Sequence, residues 1–217
     1  LINNAKKPLI VWGQGVILGT AEEELTAIIE KAGIPAAWTI LGASAIPTSH
    51  PLNVGMLGMH GTYEANMAMY DCDLMICIGA RFDDRVTGRL DAFSPNSKKI
   101  HIDIDASSIN KNIKVDIPII GDIESIMNQF QDVWKKNKFS TNKDVLEAWW
   151  KKIEEWKKIK CLDFEQKDEI IKPQQAVKRL YELTKGKNTI ITTEVGQHQM
   201  WAAQYYKFEE PNRWLTS

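Results

Sequence analysis

Cysteine is scarce in the sequence, and its spacing excludes the usual cysteine-based architectures. Only Cys72, Cys77 and Cys161 occur among 217 residues, and they form neither a Cys-x-x-Cys pair nor a metal-ligand pattern. We therefore expect no disulfide scaffold and no zinc module, and we interpret the three thiols as small apolar side chains in a reducing compartment. The fold must then rest on a hydrophobic core, for which 44% hydrophobic residues suffice.

The sequence also lacks an excess of charge of one sign and a long hydrophobic run. Its 27 basic and 28 acidic residues leave a formal net charge of −1, so no global positive field attracts nucleic acid or anionic lipid. Apolar runs such as residues 74–78 are far shorter than the ~20 residues that a membrane-spanning helix needs. We therefore expect neither a nucleic-acid partner nor a membrane partner.

Established catalytic motifs are absent as well. The sequence contains no Ser–His–Asp set, no His-Glu-x-x-His motif and no phosphate-binding P-loop. A lone histidine such as His60 is more often a hydrogen-bonded structural residue than a catalyst. The residues by themselves therefore assign neither a catalytic group nor a metal ligand to this chain.

Apolar runs and helical patterns alternate along residues 1–136. Runs typical of buried strands occur at residues 8–12, 34–39, 74–79, 99–104 and 117–120. Helical spacing is found at residues 20–33, 64–70 and 122–136, and Thr20 is the predicted N-cap of the first of these helices. Such alternation predicts an α/β fold, a doubly wound parallel sheet with right-handed crossovers.

The composition changes after residue 136. Residues 137–172 are rich in charge and carry one apolar stripe, formed by Leu146, Trp149, Trp150, Ile153 and Trp156. This helix could bind a membrane or a partner, but its mixed charges favour a connector whose tryptophans lie on a neighbouring domain. Residues 173–217 then supply a predicted helix and a strand, too little for a domain, so we expect the chain to be a piece of a longer polypeptide.

Several loops that follow predicted strands could bind a ligand, because ligands of open α/β sheets lie beyond the strand ends. The spacing Gly13-x-Gly15-x-x-x-Gly19 differs from the NAD fingerprint, so the loop is either a phosphate-binding turn or a tight turn without a ligand. Residues 81–89 alternate arginine and aspartate, which suits phosphate recognition or internal ion pairing equally. Asp103 is a candidate ribose contact, although Asp105 beside it could simply cap a turn.

Taken together and in this order, the segments resemble the large, catalytic subunit of acetolactate synthase, also called acetohydroxyacid synthase. The resemblance covers essentially the whole chain and rests on residues 55–61 (GMLGMHG), 79–88 (GARFDDRVTG), 101–105 (HIDID), 121–122 (GD) and 195–204 (VGQHQMWAAQ). It implies the Rossmann-like, six-stranded central domain of thiamine-diphosphate enzymes at 1–136. It further implies a helical connector at 137–172 and the incomplete start of the C-terminal, thiamine-diphosphate-binding domain at 173–217.

The resemblance also implies a function. Members of this family condense two pyruvates, or pyruvate and 2-oxobutyrate, with loss of CO2 in the biosynthesis of the branched-chain amino acids isoleucine and valine. They are cytoplasmic or plastid enzymes that use thiamine diphosphate, Mg2+ and FAD, form homo-oligomers (dimers or tetramers) and bind a small regulatory subunit. The activating glutamate and the magnesium motif of the family lie outside this chain, so the chain alone should be an inactive FAD-binding unit.

The resemblance assigns cofactor contacts residue by residue. FAD contacts fall on Gly13, Gly15, Thr39, Leu41, Gly58, Met59, His60, Gly79, Arg81, Asp83, Arg85, Val86, Asp103, Ile104, Gly121 and Asp122. Thiamine-diphosphate contacts fall on Val195, Gly196, Gln197 and His198, and the substrate channel is bordered by Met59, Asp84 and Arg85. The alternatives are a pyruvate oxidase-like thiamine enzyme with a redox-active FAD, and a non-catalytic nucleotide-binding or assembly module.

Overall fold

The structure, a computed structural model, describes residues 1–137 and 141–216. Its main feature is a six-stranded parallel sheet with the order β3-β2-β1-β4-β5-β6. The strands are β1 (Pro8–Trp12), β2 (Ala36–Trp38), β3 (Asn53–Met56), β4 (Leu74–Ile78), β5 (Lys98–Asp103) and β6 (Ile117–Ile120). This topology confirms the predicted doubly wound α/β fold.

Helices flank the sheet and continue beyond it. They are α1 (Gln14–Leu18), α2 (Glu22–Ala32), α3 (Tyr63–Asp71), α4 (Asp84–Thr87), α5 (Ile123–Asn137), α6 (Lys143–Lys157), α7 (Pro173–Thr184) and α8 (Gln197–Tyr205). Short 3-10 helices occupy Ile2–Asn4, Ile40–Gly42, Leu90–Ala92 and Ala106–Ser108. Two further strands, β7 (Ile191–Thr193) and β8 (Trp214–Thr216), pair in parallel, and α8 lies between them in the sequence.

The central strands are buried on both faces. Every residue of β1 and β4 is buried, which explains why both segments are apolar throughout rather than alternating. Ile10 of β1 packs into the cluster that includes α2 and α5, whereas Leu9 and Val11 pack into the cluster that includes α3 and α6. Successive side chains of a strand point to opposite faces, so one five-residue segment contributes to two cores.

Helix α6 lies on the sheet of residues 1–136. Trp149 is only 2% exposed, and its Nε1 donates to the carbonyl of Pro8 at 3.0 Å. The Nε1 of Trp150 donates to the carbonyl of Gly33 at 2.9 Å. The apolar stripe of the predicted connector is thus covered by the neighbouring α/β unit. Among the described residues, no helix has the length and apolar composition needed to span a membrane.

Three local predictions are wrong. Thr20 does not cap a helix: it has a φ of +51°, and α2 begins at Glu22 with Ala21 at the N-cap and no side-chain cap bond. Strand β3 is absent from the predicted strands, because polar Asn53 and Gly55 interrupt its apolar pattern. The interpretation of the thiols as small apolar side chains does not hold for Cys161, which is exposed.

The other two cysteines, Cys72 and Cys77, are buried. Burial raises the pKa of the Cys72 thiol to about 11.

The C-terminal unit, residues 173–216, packs on the loop that follows β2. Tyr206, Phe208 and Trp214 are buried in the same cluster as residues of the main sheet. The amide of Thr48 donates to the carbonyl of Phe208 at 2.7 Å, and the amide of Phe208 donates to Thr48 Oγ1 at 2.9 Å. The limits of the three predicted segments at 136 and 172 stay predictions.

Candidate nucleotide site at the carboxyl edge

All sixteen candidate FAD residues lie at one edge of the main sheet. The strands are parallel, so the loops that follow β1 to β6 meet at their carboxyl ends, where ligands of open α/β sheets bind. The strand order reverses between β1 and β4, which places the loops beginning at Gly13 and Gly79 on either side of the switch point. The structure therefore brings together residues that are up to 109 positions apart in the sequence, from Gly13 to Asp122.

The glycines at the switch point allow two turns to touch. A Cβ on Gly15 would lie 2.6 Å from the Cα of Gly79, and a Cβ on Gly13 would overlap the carbonyl oxygen of Gly79. The amide of Gly13 donates to the carbonyl of Ile78 at 3.0 Å, and that of Gly15 donates to Gly79 at 3.1 Å. Because these two N–H groups already have partners, they are not free to bind a diphosphate, although Gln14 between them is exposed.

The arginine-rich loop after β4 contains internal ion pairs. Arg81 Nη2 lies 2.9 Å from Asp83 Oδ2, and Arg85 Nη1 lies 3.1 Å from Asp84 Oδ2. All four side chains are at least half exposed. Exposed pairs of this kind contribute only ~0–1 kcal/mol, so either arginine can exchange its aspartate for a phosphate oxygen.

The loop after β3, residues 57–61, is joined to this arginine-rich loop. The amide of Met59 donates to the carbonyl of Arg85 at 2.8 Å. A Cβ on Gly58, whose φ is +95°, would overlap the same carbonyl. Asn66 of α3 holds Gly58 from the other side, accepting from its amide at 2.8 Å and donating to its carbonyl at 2.9 Å. The proposed channel residues are thus neighbours, and Asn66 is a contributor that no motif in the sequence revealed.

The end of β5 offers an acidic group between apolar side chains. Asp103 is 6% exposed, whereas Ile104 and Ile120 are 68% and 56% exposed; Asp103 and Ile120 are register partners on adjacent strands. Oδ1 of Asp103 accepts from the amide of Asp105 at 2.9 Å. Its Oδ2 has no hydrogen bond within the described part of the chain. A carboxylate oxygen beside exposed apolar side chains fits a ribose hydroxyl with an adjoining flat ring.

His101 bonds to the residue that directly precedes the arginine-rich loop, Ala80. Its ring is fully buried, and Nε2 lies 2.8 Å from the carbonyl of Ala80, so Nε2 carries the proton. Nδ1 has no partner among the described residues. Burial lowers the pKa of His101, and the effects of the Ala80 carbonyl and of Asp103 only partly oppose it. The ring also packs edge-on against Phe82 at 4.9 Å between centroids.

Two of the acidic candidates cap helical turns. Asp105 accepts hydrogen bonds from the amide and hydroxyl of Ser107 and from the hydroxyl of Ser108, and these bonds lower the pKa of Asp105. Asp122 accepts from the amide of Ser125 at 2.9 Å in the first turn of α5. The capping alternative for Asp105 therefore agrees with the structure. Within residues 1–137 and 141–216, no three His, Cys, Asp or Glu side chains are grouped as metal ligands would be.

The thiamine-diphosphate candidates lie at the start of α8, directly after β7. Val195, Gln197 and His198 are exposed. A Cβ on Gly196 would approach the ring of His198 to 2.8 Å, so glycine lets that ring fold over the backbone. At the other end of the same helix, Gln204 Nε2 donates to the carbonyl of His60 at 2.8 Å. The remaining FAD candidates are all half-buried: Thr39 and Leu41 lie at the 3-10 helix after β2, Val86 lies in α4, and Gly121 directly follows β6.

A six-stranded parallel sheet of this strand order, with helices on both faces, defines a doubly wound α/β domain. Residues 1–130 match the family described as "Thiamine pyrophosphate enzyme, central domain". The chain belongs to this family of thiamine-diphosphate enzymes.

Individual relatives extend the similarity beyond the central domain. The acetolactate synthase large subunit of Buchnera aphidicola subsp. Schizaphis graminum is 44% identical over 217 residues, which is all of this chain and 37% of the relative. The isozyme 3 large subunit of Escherichia coli K12 is 41% identical over 98% of this chain and 37% of its own length. Chloroplastic acetolactate synthase 1 of Nicotiana tabacum is 43% identical over the whole chain and 32% of its own length. These matches confirm the resemblance to acetolactate synthase large subunits, of whose length the chain spans about a third.

Proposed function

We propose that this chain is the FAD-binding central part, and the start of the thiamine-diphosphate-binding part, of an acetolactate synthase. The complete protein would condense two pyruvates, or pyruvate and 2-oxobutyrate, with loss of CO2. The observation that carries the proposal is the identity of 41–45% to acetolactate synthase large subunits along the chain. The convergence of the candidate residues at one sheet edge supports it independently.

In this proposal the carboxyl edge holds FAD. Arg81 and Arg85 would exchange their aspartates for the diphosphate, since guanidinium groups suit phosphate oxygens. Asp103 would hold a ribose hydroxyl through Oδ2, and the exposed side chain of Ile104 would offer an apolar contact beside it. The amides of Gly13 and Gly15 take no part, because both are bonded within the fold. The net reaction has no redox step, so the flavin would leave it in the oxidation state in which it entered.

The C-terminal unit would hold the other cofactor. Val195 and Gly196 precede α8, and Gln197 and His198 begin it; a helix N-terminus with exposed side chains suits a diphosphate. Thiamine diphosphate, when bound with Mg2+, supplies the electron sink for decarboxylation. Met59, Asp84 and Arg85 would border the approach of the 2-oxoacid. We further propose a homo-oligomer and a small regulatory subunit as partners of the complete enzyme.

The flavin contact is tested by Arg81→Ala, with Arg89→Ala as a matched control. Both arginines are exposed and pair with an aspartate two residues on, but only Arg81 is assigned to FAD. A charge-assisted hydrogen bond contributes ~1.5–3 kcal/mol, so Arg81→Ala should weaken FAD binding more than about tenfold in a flavin fluorescence titration. Equal affinities for the two variants would remove Arg81 from the site.

The reaction itself is tested with the complete protein. Acetolactate formation from pyruvate in the presence of thiamine diphosphate, Mg2+ and FAD is the expected result, whereas this chain alone should show no turnover. Bleaching of the flavin by pyruvate would instead indicate a pyruvate oxidase-like enzyme. A colourless protein that binds only NAD or ADP would indicate a nucleotide-binding module without carboligase activity.

A further inference from the structure

Three elements hold the loop of residues 57–61. From α3, Asn66 makes two hydrogen bonds to the backbone of Gly58. From the loop after β4, the carbonyl of Arg85 accepts from the amide of Met59. From α8, Gln204 donates to the carbonyl of His60 across 144 positions of sequence. The loop therefore connects the main sheet to the C-terminal unit through direct hydrogen bonds.

Helix α8 is a short rigid link between two candidate sites. Gln204 is seven residues beyond Gln197, about 10 Å along a helix that rises 1.5 Å per residue. Ala202 and Ala203 are buried and fix the rotation of the helix against the core. A shift of the helix start is therefore transmitted to Gln204, and from there to the backbone of His60.

We propose that Gln204 is a positioning residue that couples the thiamine-diphosphate end of α8 to the flavin edge of the sheet through the 57–61 loop. The inference rests on the proposed function, since both cofactor assignments come from it. The hydrogen bond requires α8 and the loop to keep the register that the structure shows. A cofactor that favours this register at one end of the link therefore favours it at the other, and the two cofactors should bind cooperatively.

Reciprocity makes this coupling measurable from either side. In the complete enzyme, FAD should tighten the binding of thiamine diphosphate by the same factor as thiamine diphosphate tightens that of FAD. A neutral hydrogen bond has a net effect of about two- to tenfold on an equilibrium constant. Loss of the Gln204 bond should therefore reduce the coupling factor by about that amount.

The test uses matched substitutions in the complete enzyme. Gln204→Met keeps the size of the side chain but removes the N–H donor, whereas Gln204→Lys retains a donor at similar reach. Gln129→Met is the control, because Gln129 is exposed and bonds Ser125 within its own helix. Calorimetric titration with thiamine diphosphate and Mg2+, with and without FAD, gives the coupling factor; flavin fluorescence gives the reciprocal value.

We expect the coupling factor of Gln204→Met to be two- to tenfold lower than that of the wild type. Its affinity for thiamine diphosphate in the absence of FAD should change less than about twofold. Gln204→Lys and Gln129→Met should retain the wild-type factor. An unchanged factor in Gln204→Met overturns the inference, as does a wild type that binds both cofactors without coupling. A wild type that binds no FAD overturns the proposed function as well.

Discussion

At the scale of single residues, glycine decides how closely two turns approach at the carboxyl edge. Gly15 is the second residue of α1, where helix propensity favours alanine over glycine by ~1 kcal/mol. The 2.6 Å that would separate its Cβ from the Cα of Gly79 outweighs that preference. Packing therefore explains this glycine before any ligand does, and the sequence alone could not separate the two explanations.

Gly15→Ala tests the packing explanation. Backbone atoms of the neighbouring turn would have to move, and overpacking of this kind costs ~1–3 kcal/mol, so the free energy of unfolding in urea should fall by about that amount. Gly19→Ala is the control, since its Cβ would lie no closer than 3.1 Å to another atom, the carbonyl oxygen of Gly15. Equal stability of the two variants would contradict the explanation.

His101 gives the folded protein a pH dependence. Its pKa is below the ordinary 6.5 in the folded state because the ring is buried, so the unfolded chain binds a proton more readily. Stability is fully present above about pH 6.5 and falls at lower pH, by at most ~1.4 kcal/mol per pH unit. Urea unfolding from about pH 7.5 to 5.5 should show this slope, and His101→Gln should flatten it. His60→Gln is the control, because His60 is exposed. If the free energy of unfolding has the same slope against pH in His101→Gln as in the wild type and in His60→Gln, this role of His101 is contradicted.

At the scale of secondary-structure elements, burial on both sides made strands predictable. The apolar runs of β1 and β4 identified the centre of the sheet because their side chains pack into the core on both faces. Strand β3 was not predicted because polar Asn53 and Gly55 interrupt its pattern, whereas the other edge strand, β6, was predicted because all four of its residues are apolar. The predicted N-terminus of α2 is wrong because Thr20 adopts a positive φ and the N-cap falls on Ala21, which has no capping side chain.

Residues whose side chains bond to the backbone of a loop could not be predicted from sequence motifs. Asn66 and Gln204 bond to the carbonyls or amides of Gly58 and His60, and such contacts leave no fixed spacing in the sequence. The candidate residues themselves could be named because they lie in loops between recognisable strands. Which of their polar groups already have partners, as in Gly13 or Asp105, required the structure.

Helix α6 is an integral element of the main unit, and Trp149→Ala tests this. Trp149 is buried beneath the sheet and donates to Pro8, so truncation removes a large side chain and leaves a carbonyl unpaired. Such a change costs ~3–5 kcal/mol, measured as the free energy of unfolding. Trp156→Ala, at a partly exposed position of the same stripe, should cost less than half as much. Comparable losses, or a loss below about 1 kcal/mol at Trp149, would argue against a docked helix.

At the scale of the whole molecule, the C-terminal unit depends on the main unit for its core. Tyr206, Phe208 and Trp214 form a chain of ring contacts with centroids 5.1 and 5.3 Å apart, and all three join the cluster of the main sheet. The two-stranded sheet of β7 and β8 is too small to be stable alone. The sequence predicted the elements of this unit but not its docking, because the contacts join residues more than 150 positions apart.

The substitution Phe208→Ala tests whether the C-terminal unit depends on the main unit for its core. Phe208 is 1% exposed, so Phe208→Ala should leave a cavity costing ~3–5 kcal/mol and open the C-terminal unit before the main sheet. In native-state hydrogen exchange, amides of α8 and β7 should lose protection while those of β1 and β4 keep theirs. Leu215→Ala, at a position 56% exposed on the neighbouring strand, should change neither set. Parallel loss of protection in both units would show that they unfold together, and the main sheet could then not support flavin binding independently of the C-terminal unit.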